Sequence, residues 1–157
     1  MRRLSPVRVT VVVVGRARHE GIAAALRDYE TRAARYWTLE VREIREERGS
    51  DAVVVRRREG ERLAEAVGAQ PYVACDERGR SLTSREFADW MRDSRDASRD
   101  LTFVLGGAFG LDPAVSEGAT MRLSLAPWTL PHELARLVLA EQLYRAGTIV
   151  RGEPYHK

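Results

Sequence analysis

The segment LTFVLGGAFG, residues 101–110, decides the fold class of this chain. Its first five residues, apolar except for Thr102, predict a short buried strand, and three of the next five are glycines. In α/β proteins small molecules bind outside the carboxyl ends of the strands, where backbone must come close to the ligand. The segment therefore suggests a ligand loop, although a tight turn that needs a positive φ would require the same glycines.

Outward from this segment, apolar β-branched runs alternate with longer amphipathic stretches. This alternation is typical of an α/β protein with a largely parallel sheet. Without a repeat or a low-complexity linker, we expect a single domain over residues 1–157, with a disordered extension at 1–6. The pattern predicts strands at 7–14, 39–44, 72–75, 101–105 and 121–125, helices at 15–36, 51–67, 83–93 and 129–147, a turn at 76–80, and a short helix that starts at Asp112-Pro113.

Charge and cysteine content limit the partners and the compartment. The chain has 26 basic and 23 acidic side chains and a net charge of +3, which permits a polyanionic partner without requiring one. No apolar run approaches the roughly 20 residues of a membrane span, and no signal-peptide cleavage pattern is present. With Cys75 as the single cysteine, we expect a cytoplasmic protein without an internal disulfide and without a membrane partner.

Residue spacing excludes several kinds of site. The histidines and Cys75 are scattered, and His132-Glu133 lacks the second histidine of the zinc-protease motif, so we expect no metal. The sequence also lacks a phosphate-binding loop ending in Gly-Lys-Ser or Gly-Lys-Thr, a Gly-x-Ser-x-Gly elbow, and a Gly-x-Gly-x-x-Gly after the first strand. Kinase, hydrolase and ordinary dinucleotide-binding functions therefore lose their main support.

Two segments near the carboxyl end are further candidates for a site. The segment SLAPWTLPH, residues 124–132, could wall a flat heteroaromatic ring, or could be a helix start capped by Thr129. Arg145 follows Glu141 by four residues, and an ion pair is as reasonable for it as a substrate contact. The tail 150–157 combines an aromatic ring, an imidazole and cations suited to a nucleotide, although a frayed terminus is the default interpretation.

The closing helix is apolar over a wide face. Such a helix lies either at the centre of a fold or at a dimer interface. The predicted core-facing stripe consists of Leu134, Leu137, Val138 and Tyr144, and Leu139 and Leu143 widen it.

Several motifs together resemble one family. They are Leu105-Gly106-Gly107-x-x-Gly110-Leu111, Ser124-Leu125, Thr129-Leu130-Pro131-His132, Arg136, Leu143-Tyr144-Arg145-Ala146 and Pro154-Tyr155-His156. In this order they resemble the RlmH family of 23S rRNA pseudouridine N3-methyltransferases. The resemblance implies the SPOUT fold, an α/β sheet with a carboxyl-terminal deep trefoil knot. It also implies S-adenosylmethionine (SAM) as cofactor, a homodimer, and as substrate a pseudouridine in a hairpin loop of the large ribosomal subunit or the 70S ribosome.

The resemblance also assigns site residues. His156 is the candidate base for the N3 proton, Arg145 would stabilise developing negative charge, and Tyr155 would stack on or orient the uracil ring. The family often has leucine at position 75 and Pro-Glu where this chain has Ala108-Phe109, so Phe109 receives no catalytic role. The implied SAM pocket comprises Cys75, Gly106, Gly107, Gly110, Leu125, Ala126, Pro127, Trp128, Thr129 and Leu130.

Two other functions remain open at this point. A SPOUT enzyme with this cofactor pocket could methylate a different RNA, such as a transfer RNA. A catalytically silent RNA-binding or ribosome-associated relic could keep the fold without turnover.

Overall fold

The computed structural model describes residues 7–157 and contains a five-stranded parallel sheet between two layers of helices. The proposed extension at 1–6 lies outside the described residues. The α/β class with a parallel sheet is confirmed. The strands are β1 (Arg8–Val14), β2 (Thr38–Ile44), β3 (Val73–Ser81), β4 (Leu101–Val104) and β5 (Met121–Ser124), and the helices are α1 (Glu20–Ala33), α2 (Ala52–Val67), α3 (Ser84–Asp96), α4 (Pro113–Gly118) and α5 (His132–Arg151).

The sheet has the strand order β2-β1-β4-β3-β5, and every neighbouring pair is parallel. Because β1 is covered on both faces, its sequence is a nearly continuous run of valines rather than an alternating pattern. Val9, Val11 and Val13 pack beneath α1, α3 and α5, whereas Val12 and Val14 pack beneath α2 and α4. Every helix within residues 7–157 is too short or too polar to cross a bilayer.

The third strand is longer than predicted. Residues 76–80 have the composition of a turn, but β3 continues through them to Ser81 because β5 pairs with it on both sides of an irregularity between Cys75 and Arg80. Gly79 is required there, since a Cβ atom would lie 2.6 Å from the carbonyl carbon of Arg122 on β5. Pairing with a distant strand has thus overridden the local turn preference.

The closing helix turns a different face to the core than predicted. Leu139 and Leu143 are buried in the core between α1 and α3, and Tyr144 packs on Tyr29 of α1 with ring centroids 6.2 Å apart. By contrast, Leu134, Leu137 and Val138 are half-buried and belong to neither core cluster. The predicted stripe was therefore wrong for these three residues, which form a half-exposed apolar strip along α5.

Candidate functional site

A cavity of about 750 Å³ lies beside the carboxyl ends of β4 and β5. Its walls are the glycine loop (residues 106–110), the apolar loop (residues 125–131) and residues 75–78 of β3. The volume is within the range of about 300–1,000 Å³ that small-molecule sites occupy. Its position matches the general placement of ligand sites in α/β sheets.

The glycine loop folds tightly back on itself. The Gly110 N–H donates to the Gly107 carbonyl at 3.0 Å, and Gly110 has φ +82°. A Cβ atom on Gly106 would lie 2.5 Å from the carbonyl carbon of Gly110 and 2.7 Å from the nitrogen of Leu111. The segment is therefore both the tight turn and the candidate ligand loop that the sequence suggested, because a turn with positive φ presents bare backbone to the cavity.

Nine of the ten predicted cofactor residues line this one cavity, whose walls combine bare backbone and apolar side chains with several charged groups. Pro127 does not line it. Burial raises the pKa of the Cys75 thiol to about 12, so Cys75 is a neutral part of the wall. The nine are Cys75, Gly106, Gly107, Gly110, Leu125, Ala126, Trp128, Thr129 and Leu130.

Thr129 holds the apolar loop to β3 and does not cap the closing helix. Its hydroxyl donates to Glu77 Oε2 at 2.6 Å, and α5 begins after Pro131 without a side-chain cap. The interpretation of this segment as a helix start capped by Thr129 is therefore wrong. The reason is a partner 52 residues earlier in the chain, which local spacing does not reveal.

Several residues of the cavity were missed from the sequence. Asp76, Glu77 and Arg78 were assigned to a turn, although they directly follow a buried strand. Burial alone would raise the pKa of Asp76, but hydrogen bonds from the Arg78 N–H and the Ser116 hydroxyl hold it below its usual value. Arg56 of α2 also lines the cavity, and only the packing of α2 beside the sheet brings it there.

A buried carboxyl group stands behind the glycine loop. Glu59 Oε2 accepts the Glu47 N–H at 3.1 Å, while Oε1 is the one buried side-chain polar atom within residues 7–157 that lacks a hydrogen-bond partner. A Cβ atom on Gly107 would lie 2.8 Å from Oε1, so any larger residue there would force the Glu59 carboxyl group to shift. Burial raises the pKa of Glu59, because water no longer stabilises its charged form.

Replacing Glu59 with glutamine is expected to remove one pH-dependent contribution to stability. Because the pKa of Glu59 is raised in the folded state, the folded protein binds the carboxyl proton more tightly than the unfolded chain does. The stability that this proton contributes is therefore lost as pH rises from about 4 through the folded-state pKa of Glu59. The free energy of unfolding of E59Q minus that of the wild type should therefore increase with pH across this window, as measured by urea unfolding. Glu61→Gln, on the exposed side of the same helix, is the control, and a pH-independent difference for E59Q would contradict the prediction.

The three predicted catalytic residues come together at the far end of α5. Arg145 donates from Nε and Nη2 to Glu141 Oε1 at 3.0 and 2.7 Å, and the Tyr155 hydroxyl donates to the same oxygen at 2.9 Å. The Arg145 guanidinium lies 4.8 Å from the centre of the Tyr155 ring. Burial, together with hydrogen bonds to Tyr29 and Glu141, raises the pKa of Tyr155, which stays uncharged. The anticipated Glu141–Arg145 ion pair is confirmed.

His156 completes this cluster through Arg145. Arg145 Nη1 lies 3.0 Å from His156 Nδ1. Because a guanidinium group only donates, Nδ1 must accept, and the proton of the neutral ring then lies on Nε2. In this arrangement His156 offers an N–H donor at its free edge, and Nδ1 is not available as a base.

The tail that carries these residues is fixed to the body of the protein, so the frayed-terminus interpretation is wrong. The Tyr36 hydroxyl donates to the Glu153 carboxylate, and Arg151 donates to the carbonyl of Arg35 at 3.2 Å. The α5 helix reaches close to Tyr36 because Gly147 has no side chain, and a Cβ atom there would lie 2.3 Å from the ring.

The tail cluster and the cavity are far apart within one chain. Ala135 lines the cavity, and Arg145 lies ten residues further along α5. At about 1.5 Å of rise per residue this separates them by roughly 15 Å, whereas reacting atoms must approach to about 3–3.5 Å. Within one copy of the chain, Arg145 is therefore too far along α5 to touch the wall of the cavity at Ala135.

A metal centre is not formed by the described part of the chain. Within residues 7–157, no group of three or more histidine, cysteine, aspartate or glutamate side chains is arranged to hold a metal ion.

The sequence of this chain is similar to known methyltransferases over nearly its whole length. A family model described as predicted SPOUT methyltransferase matches residues 7–156. The chain is 58% identical over 154 residues to the ribosomal RNA large subunit methyltransferase H of Gemmatimonas aurantiaca, covering 96% of this chain and 100% of that protein. It is 42% identical to the protein of the same name from Syntrophotalea carbinolica, with 96% and 99% covered.

Two solved structures share the fold at low sequence identity. The crystal structure of a probable methyltransferase from Bordetella pertussis has a TM-score of 0.57 at 18% identity and covers 89% of this chain and 96% of that one. The tRNA (m1G37) methyltransferase of Aquifex aeolicus has a TM-score of 0.54 at 16% identity, with 98% and 75% covered. These two likenesses bear on the fold alone.

Proposed function

Because this chain belongs to the SPOUT methyltransferase family, we propose that it methylates N3 of a pseudouridine in 23S rRNA with SAM as cofactor. The observation that carries the proposal is that nine predicted cofactor residues line one cavity. The name of the Gemmatimonas relative, ribosomal RNA large subunit methyltransferase H, supports the choice of substrate. A large-subunit substrate also supports a cytoplasmic location, on the large subunit or the 70S ribosome.

The cofactor is held mainly by backbone and apolar side chains. Leu125, Ala126 and Leu130 form an apolar wall, and the glycine loop offers bare backbone opposite it. SAM, when bound, supplies a methyl group that its positively charged sulfur has already activated. What the protein has to supply is therefore alignment, exclusion of water and an electron-rich acceptor atom.

The tail cluster makes the acceptor electron-rich. Loss of the N3 proton leaves negative charge on the two carbonyl oxygens beside N3, and donors that face these oxygens stabilise it. Arg145, fixed by Glu141, and the Nε2–H of His156 are such donors. His156 takes the N3 proton at Nδ1 once Nδ1 has released the hydrogen bond from Arg145, and the methyl group replaces that proton on N3. Tyr155 stays uncharged and is free to stack on or orient the ring.

A homodimer would unite the two halves of the site. The roughly 15 Å between cavity and tail in one chain supports a site that takes its cavity from one protomer and its tail from the partner. A two-fold axis perpendicular to α5 would set two copies of the helix antiparallel, with the carboxyl end of one beside the amino end of the other. The half-exposed strip of Leu134, Leu137 and Val138 provides an apolar surface for this contact.

The carboxyl-terminal knot is part of the proposal. It is supported by the two-part pairing of β5 with β3 and by the close passage of Arg122 over Gly79. Only glycine admits a second backbone at this distance.

Mass mapping of ribosomal RNA from a strain that lacks the gene tests the proposed function. We expect one methyl group to be missing from a pseudouridine of 23S rRNA and to return with the wild-type gene. An unchanged map of ribosomal RNA would overturn the proposal. If a methyl group were missing from a transfer RNA instead, the substrate would be wrong, and if the protein failed to bind SAM in calorimetry, the silent-relic alternative would be favoured.

A further inference from the structure

The rim of the cavity carries two exposed aromatic side chains. Within residues 7–157 only three large apolar residues are strongly exposed: Trp128 at 79%, Val53 at 61% and Phe109 at 41%. Trp128 and Phe109 line the same cavity. Because Trp128 is mostly exposed, its indole contributes little wall to the cavity and is available to a larger molecule at the opening.

The same rim carries two arginines with free donors. The Arg78 side chain is 81% exposed, and its contact with the Asp76 carboxylate is a loose 3.8 Å. Asp76 already accepts hydrogen bonds from the Ser116 hydroxyl and the Arg78 N–H. Arg56, from α2, takes part in no ion pair within residues 7–157. Asp76 and Glu77 line the same cavity, but neither makes a close ion pair with these arginines, so both guanidinium groups keep donors for a ligand.

We propose that this rim, formed by Arg56, Arg78, Phe109 and Trp128, binds the single-stranded RNA next to the target nucleotide. A base stacks on the indole of Trp128, and phosphate groups of the same strand take the two guanidinium groups. This inference rests on the proposed function and adds to it the residues that hold the strand outside the reaction centre. It also reassigns the exposed side chain of Trp128 from the cofactor to the RNA.

In the proposed dimer the tail of the second copy stands beside the cavity, and the chemistry of the rim favours RNA rather than that tail as the ligand of its exposed side chains. A nucleic-acid strand presents flat base faces and negative phosphates, which match aromatic rings interleaved with arginines. A protein partner would have to bury two guanidinium groups, and burial of a charge is costly unless a counter-charge accompanies it. The half-exposed strip of Leu134, Leu137 and Val138 on α5 is aliphatic, and it is better suited to contact between protomers.

Trp128→Ala tests the inference in the full-length dimer. The substrates are 70S ribosomes and large subunits from the strain that lacks the gene, and methyl transfer is followed with labelled SAM. We expect the KM for the ribosomal substrate to rise about tenfold, since one stacked base is lost, while calorimetry gives a Kd for SAM within about threefold of the wild type. Trp128→Phe, which keeps a stacking ring, should recover most of the loss.

Val53→Ala is the matched control, because it removes another strongly exposed apolar side chain, one that does not line the cavity. It should leave the KM unchanged. Three outcomes for Trp128→Ala would overturn the inference: a parallel loss of SAM affinity, dissociation of the dimer in sedimentation, or an unchanged KM. Failure of the wild-type protein to methylate either substrate would instead count against the proposed function.

Discussion

Replacing Gly106 with alanine is expected to lower the affinity for SAM by about five- to 100-fold. The added Cβ would lie 2.5 Å from the Gly110 carbonyl carbon and 2.7 Å from the Leu111 nitrogen, so the glycine loop must open to admit it. Overpacking of this kind costs about 1–3 kcal/mol, and each 1.4 kcal/mol corresponds to about tenfold in affinity. Calorimetry with SAM measures the change, and circular dichroism checks that the protein remains folded.

The matched control is Gly68→Ala, at the end of α2. Gly68 has a positive φ of +66°, and a Cβ atom there would have no neighbour within 4 Å. This substitution should cost about 1 kcal/mol of stability through backbone strain and leave SAM affinity unchanged. If folded Gly106→Ala bound SAM as tightly as the wild type, the glycine loop would not be a wall of the cofactor site.

Two variants that are each inactive are expected to restore activity when they form mixed dimers. Gly106→Val blocks the cavity, and Arg145→Ala removes the guanidinium group from the tail. Loss of a preorganised charge-stabilising donor typically lowers kcat by about 100-fold or more. If a site takes its cavity from one protomer and its tail from the other, a mixed dimer has one site in which both halves are intact.

The expected recovery follows from symmetry. Random association gives mixed dimers in about half of the population, each with one of its two sites intact, so about a quarter of wild-type activity should return. Co-expression with two different tags allows the mixed dimer to be purified and assayed. Arg145→Ala mixed with His156→Ala is the control and should stay inactive, because both changes lie in the same half of the site. No recovery in the first mixture would mean that each protomer builds its site alone.

The fold class and much of the cavity were predictable because their signals are local. The valine run of β1 and the strand before the glycine loop are recognisable within a few residues. Glycines directly after a strand indicate close backbone approach wherever the chain places them. For that reason Gly106, Gly107 and Gly110 were assigned together and lie together.

The predictions that failed concern contacts between distant parts of the chain. β3 continues through residues 76–80 because β5 pairs with it on both sides of the irregularity between Cys75 and Arg80. Thr129 binds Glu77 rather than the first turn of α5. Which leucines of α5 face the core depends on how α1 and α3 pack against that helix. Periodicity shows that the helix has a wide apolar face, but it does not show which part of that face is covered.

By itself, the sequence determined an α/β protein with a parallel sheet, a glycine loop after β4, and a motif series that places the chain in its family. Only the tertiary structure decided that Glu59 stands behind Gly107, that Trp128 points outward at the rim, and that Arg145 lies some 15 Å of helix from the cavity. The physical reason is how far apart in the sequence the interacting residues lie. Helix and strand signals depend on neighbours within one or two turns, whereas these three placements depend on the path of the whole chain.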